Sequence, residues 1–290
     1  MTMSNRYSET AMIVDLTLGH WKPVKRSKKL GKELADLKET VEEAVTVGKK
    51  LFPWKPTPPS YLAVTSGFAG SYNFHNEQTL PWNNDGGRIL LSANHMDYNN
   101  GMRKWRRTCE TAWLVFQADL PNLKEQSRAI SNGIFDEADW PDAKKLVKSF
   151  KFKIEFFPFP DAADFRVDIS ELEMRSLREA ADEGVQERVE AAMRDLYGRL
   201  LDPIKHMVDR LNSDSEDIHS SVVENIRKQI ALIPKLNLTG DQRIFDFAEE
   251  IEAGLTRFTG DQLSAKSHLR TTVLARAEEI AGELEERVAA

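Results

Sequence analysis

The sequence predicts an α+β fold: an N-terminal mixed domain with short antiparallel strands and helices, followed by a long helix and an all-α C-terminal region. Three observations predict it. Apolar and polar residues alternate over Met12–Trp21 and again over Phe150–Phe156, the period of a strand with one buried face. Apolar residues recur every three or four positions from Leu177 through Val185, Val189, Leu196, Leu200 and Ile204 to Leu211, the period of an amphipathic helix. Between the two patterns, Ser170 and Glu173 have the spacing of a capping box, which marks a helix start. The boundary therefore falls there, with an α+β domain over residues 1–169 and a helical arm or bundle over residues 170–290.

Each element follows in order. After the first strand, Leu30, Leu34, Leu37, Val41, Val45 and Leu51 predict an amphipathic helix over Lys28–Phe52. It is stopped by Pro53 and by the stiff run Pro56, Pro58, Pro59. Residues 61–92 read as short strands and loops, with turn chemistry at Asn83-Asn84-Asp85-Gly86-Gly87 between Leu80 and Ile89-Leu90-Leu91. Asn94 reads as the N-cap of a helix whose buried stripe is Tyr98, Met102, Trp105, Cys109, Ala112 and Phe116. A shorter helix is expected after Pro121, and Pro141 suits the first position of another. Phe150–Phe156 and the run Phe165, Val167, Ile169 read as an antiparallel hairpin turned at Pro158–Asp161. A helix of about 40 residues from Ser170 would span about 60 Å, kinked at Pro203. Helices near 218–233, 241–257 and 262–288 complete the chain, with breaks at Pro234, Gly240 and Gly260.

Composition narrows the class. The 290 residues are 41% hydrophobic and 30% charged, which excludes a collagen, a disordered tail and a disulfide mini-scaffold. A chain of this size buries about 75% of its unfolded surface. The single cysteine, Cys109, permits no intrachain disulfide and fits a reducing compartment. The polar N-terminus does not read as a signal peptide, and no apolar run approaches the ~20 residues of a membrane span. Residues 1–150 carry 21 Lys and Arg against 17 Asp and Glu, whereas residues 151–290 carry 19 against 29. Uneven charge of this kind fits either two surfaces with different partners or two differently solvated halves.

Catalytic motifs are sparse. Neither Gly-x-x-x-x-Gly-Lys-Ser/Thr, Gly-x-Gly-x-x-Gly nor Gly-x-Ser-x-Gly occurs. The small-residue run Ser66–Ser71 could wrap an anion with backbone N–H groups, or be an ordinary turn. No Cys pair or His-x-x-x-His is present, and His95 with Asp97 offers two metal ligands at most. No metal and no cofactor is expected. Cys109 lies on an apolar stripe, where a thiol is inert. Asp161, Asp164 and Asp168 resemble a metal-dependent nuclease cluster, but the acid-x-Lys order that chemistry needs is reversed at Lys153-Ile154-Glu155, and Arg166 can pair with its neighbours along the strand. Two basic stretches remain. Lys22, Lys25, Arg26, Lys28, Lys29 and Lys32 lie in eleven residues without an acid, and Arg103, Lys104, Arg106 and Arg107 surround Trp105. Clustered cations beside aromatic platforms are what single-strand binding requires, and Trp21, Trp54, Tyr72 and Trp82 are the candidate platforms. The candidate nucleic-acid contacts are therefore Lys25, Arg26, Lys29, Arg103, Lys104, Arg107 and Trp82. The same cations also read as solvated helix faces.

The landmarks Gly19-His20-Trp21, Thr79-Leu80-Pro81-Trp82, Gly87-Arg88-Ile89-Leu90-Leu91, Asp139-Trp140-Pro141, Phe156-Phe157-Pro158-Phe159-Pro160 and Asp164-Phe165-Arg166-Val167 together resemble a group of proteins of about this length encoded by tailed bacteriophages. The resemblance covers most of the chain and rests on structural landmarks, not on catalytic signatures. It implies a phage origin and action in the bacterial host cytoplasm. No activity or functional residue is carried over. The expectation is a non-enzymatic accessory protein that binds other phage or bacterial proteins through its helical arm, as a host-defence inhibitor or a scaffold in phage genome metabolism, and forms a homo-oligomer. The alternative is a single-stranded nucleic-acid-binding protein that uses the basic N-terminal half. No membrane association is expected.

Overall fold

The computed structural model describes residues 7–53, 55–83, 86–161, 169–213, 218–264 and 268–289. The α+β class is confirmed. The chain forms two compact units: residues 1–15, 75–99 and 155–290 make the first, and residues 16–74 and 100–154 the second. A four-stranded sheet has the order β4-β5-β1-β6, with β1 at Ala11–Gly19, β4 at Leu80–Pro81, β5 at Arg88–Leu91 and β6 at Lys151–Pro158. Strand β5 is antiparallel to β1, from Ala11↔Leu91 to Val14↔Arg88, and to β4 at Leu80↔Ile89. Gly86, at φ +105°, turns the β4–β5 hairpin in a conformation that glycine adopts without steric cost.

The first unit is organised by helix α5, Glu171–Asn212. The expected capping box is formed, with the Ser170 hydroxyl accepting from the Glu173 amide and the Glu173 carboxylate accepting from the Ser170 amide. From Val185 onward its stripe is buried, and Leu196, Leu200, Ile204 and Met207 are essentially dry. The cover is α6 (Ser220–Leu236), α7 (Gln242–Ile251) with a π turn at Glu252–Thr256, α8 (Gly260–Ser264) and α9 (His268–Ala289). Val273, Ala277, Ile280 and Leu284 of α9 belong to the same core. Tyr7, Ala11, Ile13, Leu80, Trp82, Ile89, Leu91 and Phe159 join it too. The units therefore do not divide at residue 169, because strand residues from the first hundred positions supply part of the helical core. Helix ends are closed by guanidiniums, that of Arg270 buried and that of Arg199 half-buried. Arg270 donates to the carbonyls of Leu211 (2.9 Å), Arg210 (3.2 Å) and Ser213 (2.9 Å), which α5 leaves without intrahelical partners. Arg199 does the same for Glu77 (3.2 Å) and Thr79 (2.8 Å).

The second unit holds the ribbon β2–β3 (Val24–Arg26 with Gly48–Lys50), α1 (Lys28–Leu37), most of α2 (Pro59–Glu77) and α3 (His95–Ser131), and α4 (Ala143–Ser149). Its core is aromatic: Trp21, Phe52, Tyr61, Phe116 and Trp140 meet with centroids 5.3–6.3 Å apart. Glycines let α2 and α3 approach. A Cβ on Gly70 would sit 2.3 Å from the Trp105 ring, and one on Gly101 would sit 2.0 Å from Phe74.

Several expected elements differ. The Lys28–Phe52 helix ends at Leu37, where Glu39 takes φ 51°, and the β-branched run Val41, Val45, Thr46, Val47 favours extended chain that leads into β3. Residues 59–77 form a helix instead of strands and loops, because their small residues serve close helix packing. Helices α3 and α6 continue through Pro121 and Pro234. Buried Leu120 and Leu123 flank the first proline, and buried Ile233 and Leu236 flank the second, so packing on both sides offsets the ~3 kcal/mol cost of an interior proline. Asp142, not Pro141, starts α4 by accepting from the Lys145 amide at 2.7 Å. The Asn94 amide does not cap α3 and donates to Gln78 O at 2.8 Å. The second strand of the expected 150–169 hairpin falls mainly outside the described residues.

Leu196→Asp or Leu200→Asp should lower unfolding stability by several kcal/mol, because each puts an unpaired carboxylate into the α5 core. Leu172→Asp on the same helix, at 77% exposure, should leave the melting temperature within about a degree or two. Equal melting temperatures for all three variants would refute the placement of the stripe.

Candidate nucleic-acid interface

The two units differ sharply in charge. The second carries 21 Lys and Arg against 12 Asp and Glu, and the first carries 19 against 34. Net charges are thus +9 and −15, a stronger separation than the halves of the sequence display. Six of the seven expected contacts, Lys25, Arg26, Lys29, Arg103, Lys104 and Arg107, belong to the basic unit.

The ribbon and α1 present the first group. Ser27 caps α1 by accepting from the Leu30 amide at 3.3 Å, and its first turn contains no acid. Lys28 and Lys29 are exposed there. Arg26 is exposed and donates to Thr46 Oγ1 at 3.2 Å. These cations line a cleft of 520 Å³ with Lys49, Glu33 and Asp139. Lys49 is committed to an ion pair with Asp139 and donates to the Ile134 carbonyl at 3.0 Å, so Arg26, Lys28 and Lys29 are the cations left for a ligand. A second cleft of 380 Å³ is lined by Arg26, Lys28, Lys32 and Glu42. Lys32 faces Glu42 there at 3.8 Å.

Helix α3 presents the second group. Arg103, Lys104 and Arg107 are exposed and make no ion pair among the described residues. Arg106 instead donates to the Phe152 carbonyl at 2.9 Å and lies 5.2 Å over the Phe152 ring. Trp105 packs toward Gly70. Neither cleft includes an α3 cation, so neither brings the two basic groups together.

The expected stacking platforms are mostly occupied. Trp82 belongs to the other unit and is buried, with Phe159 at 5.0 Å and the Arg188 guanidinium 5.0 Å over its ring. It offers no free face for a base, which corrects its assignment as a contact. Trp21 lies in the aromatic core, and Trp54 falls outside the described residues. Tyr72 alone of the four is exposed among the described residues.

The groups weighed for catalysis are dispersed. Ser66–Ser71 lies inside α2 and is no loop, since Ser71 donates to the Gly67 carbonyl at 2.7 Å. Cys109 is buried 3.3 Å from Ser71 Oγ, and burial pushes its thiol pKa up. His75 is 2% exposed and hydrogen-bonds Tyr98 at 2.8 Å. Burial, reinforced by the Arg88 guanidinium, lowers its pKa to about 4. Burial also raises the Tyr98 pKa. His95 Nε2 meets the Asn99 amide at 2.9 Å, and Asp97 pairs with Lys235. No group of three metal-ligating side chains occurs among the described residues, of which Asp164, Arg166 and Asp168 are not part. Within them no helix is long and apolar enough to cross a membrane. No protein-family model, curated protein or solved structure matches the chain.

The His75 shift has a definite pH consequence. In the unfolded chain the imidazole takes up a proton near 6.5, whereas in the fold it stays neutral to about 4. Stability attributable to His75 is complete above 6.5 and is lost as pH falls toward 4, about 3 kcal/mol in all. Urea unfolding between pH 7 and 4 should show this slope, and His75→Phe should flatten it. An unchanged slope in the variant would contradict the burial of a neutral imidazole.

Proposed function

We propose that this is a phage-type accessory protein that works by binding, and that its basic unit holds a nucleic-acid strand through phosphate contacts. The observation that carries the reading is the segregation of charge, +9 in one compact unit against −15 in the other. Exposed cations without a carboxylate partner among the described residues, Lys28 and Lys29 on α1 with Arg103, Lys104 and Arg107 on α3, supply the contacts that give salt-dependent, sequence-independent affinity. Because only Tyr72 is exposed among the described platforms, the reading rests affinity on the backbone charge and not on base stacking. The acidic unit, repelled by the same polyanion, is the surface left for a protein partner.

A second reading, assembly through the helical arm, keeps one supporting observation. Ile169 and Leu172, beside the start of α5, are exposed. The rest of its basis has gone: from Val185 onward the arm's apolar stripe is covered by the chain's own helices, so the fold does not require a homo-oligomer.

The test is anisotropy of a fluorescent single-stranded oligonucleotide titrated with protein at several salt concentrations. Affinity should fall steeply with salt. The paired variant Arg103→Gln with Arg107→Gln should reduce the log–log slope by about 1.4, roughly 0.7 per lost phosphate contact. Trp82→Ala should lower the melting temperature and leave the slope unchanged. Absence of binding at low salt would overturn the nucleic-acid reading. A stable oligomer by light scattering, dissociated by Leu172→Asp, would favour assembly.

A further inference from the structure

We propose that the acidic unit contains a binding site for a small apolar anion, a free acyl or aryl carboxylate, in the groove between the π turn Glu252–Thr256 and the start of α9. The groove has a volume of 680 Å³, within the range of small-molecule sites. Ala253 and Gly254 on the turn, Phe258, and Leu269 and Val273 on α9 supply its apolar lining, and Glu250, His268 and Thr272 border it beside two arginines.

The turn is fixed by its contacts. It ends α7 as a wider π turn over Glu252–Thr256. Here Arg227 donates to the Thr256 carbonyl through both Nε (3.1 Å) and Nη2, and Glu224 holds that guanidinium at 2.5 Å. At Gly254 the wall comes close to α9, since a Cβ there would stand 3.1 Å from Arg276 Cγ and push that side chain aside by a few tenths of an ångström.

The charge at the mouth selects the ligand. Arg276 is neutralised by Glu250 at 3.0 Å and Glu279 at 2.5 Å. Arg257 is exposed, stacks 4.6 Å over Phe258, and has no carboxylate partner among the described residues. One unneutralised guanidinium beside an apolar trough matches a molecule with an apolar body and a single negative group. The site lies in the other unit from the nucleic-acid contacts and does not depend on that reading.

Titration of the full chain with 8-anilinonaphthalene-1-sulfonate, an aromatic monoanion, tests this. Fluorescence should saturate at one probe per chain. Decanoate should displace it at about tenfold lower concentration than decanol, the factor expected of a charge-assisted contact. Arg257→Gln should weaken the probe about tenfold and bring decanoate level with decanol. Ala253→Phe, a substitution at an exposed position, should fill the trough and abolish saturable binding while the melting temperature holds. A fluorescence rise that does not saturate, equal displacement by acid and alcohol in the unaltered chain, or full affinity in Arg257→Gln would each overturn the assignment.

Discussion

The first unit depends on keeping one long stripe dry. Helix α5 carries buried side chains from Val185 to Leu211, and a helix of that length gains most of its stability from packing, not from propensity. The four following helices and the β4–β5 hairpin share a single core with that stripe. The polar details follow from the same constraint. Once the C-terminal end of α5 is buried, its last carbonyls need donors, and Arg270 supplies three hydrogen bonds from α9. Tyr197 is placed similarly: its hydroxyl donates to Asp241 at 2.6 Å, and burial with that carboxylate raises its pKa. Asp241 also caps α7 by accepting from the Arg243 amide. A polar group is tolerated near the core where it closes a helix end or pairs with a cap.

The second unit solves its packing differently. It has few long aliphatic runs and fills its interior with rings, and its two main helices approach through Gly67, Gly70 and Gly101. That choice has a cost for function. Aromatic residues spent on the core are unavailable as platforms for bases, so among the charged surface residues of the unit the excess of cations is its most distinctive feature. Charge, unlike stacking, needs no fixed geometry, so a field of dispersed lysines and arginines attracts a polyanion without a preformed cleft.

What was legible in the sequence divides along the same line. Elements whose periodicity matched their burial were readable: the α3 stripe from Tyr98 to Phe116, the capping box at Ser170 and the α5 stripe; β1 was readable as a strand, although Ile13 and Val14 on its two faces are both buried. Where composition stood in for periodicity, the reading failed. Ser66–Ser71 has the small residues of a loop, but in α2 they permit close approach of another helix. Pro121 and Pro234 have the chemistry of breaks, yet buried neighbours carry the helix past each. The α1 stripe ran on in sequence to Leu51, and only the left-handed Glu39 and the pairing of Val24–Arg26 with Gly48–Lys50 show where the helix yields to a ribbon. Trp82 looked like a platform because sequence gives residue type without depth.

The unit boundary was hidden for a topological reason. The chain passes between the units at residues 15/16, 74/75, 99/100 and 154/155, so no single cut in the sequence separates them. Averaging charge over halves mixes residues of both units and dilutes the signal: Arg88 counts with the basic half although it belongs to the acidic unit, and Lys151 and Lys153 count with the acidic half although they belong to the basic one. The separation of +9 from −15 emerges only when residues are grouped by where they fold. The interleaved chain thus keeps its two units unlike in net charge, although each contains internal ion pairs such as Lys49–Asp139 in one and Arg243–Glu250 in the other. Interior packing does not require that segregation, and surface salt bridges between mixed charges would have added little stability. Charge is thus the property in which the two units differ most, and it is set by surface residues that the packing of either core leaves free to vary.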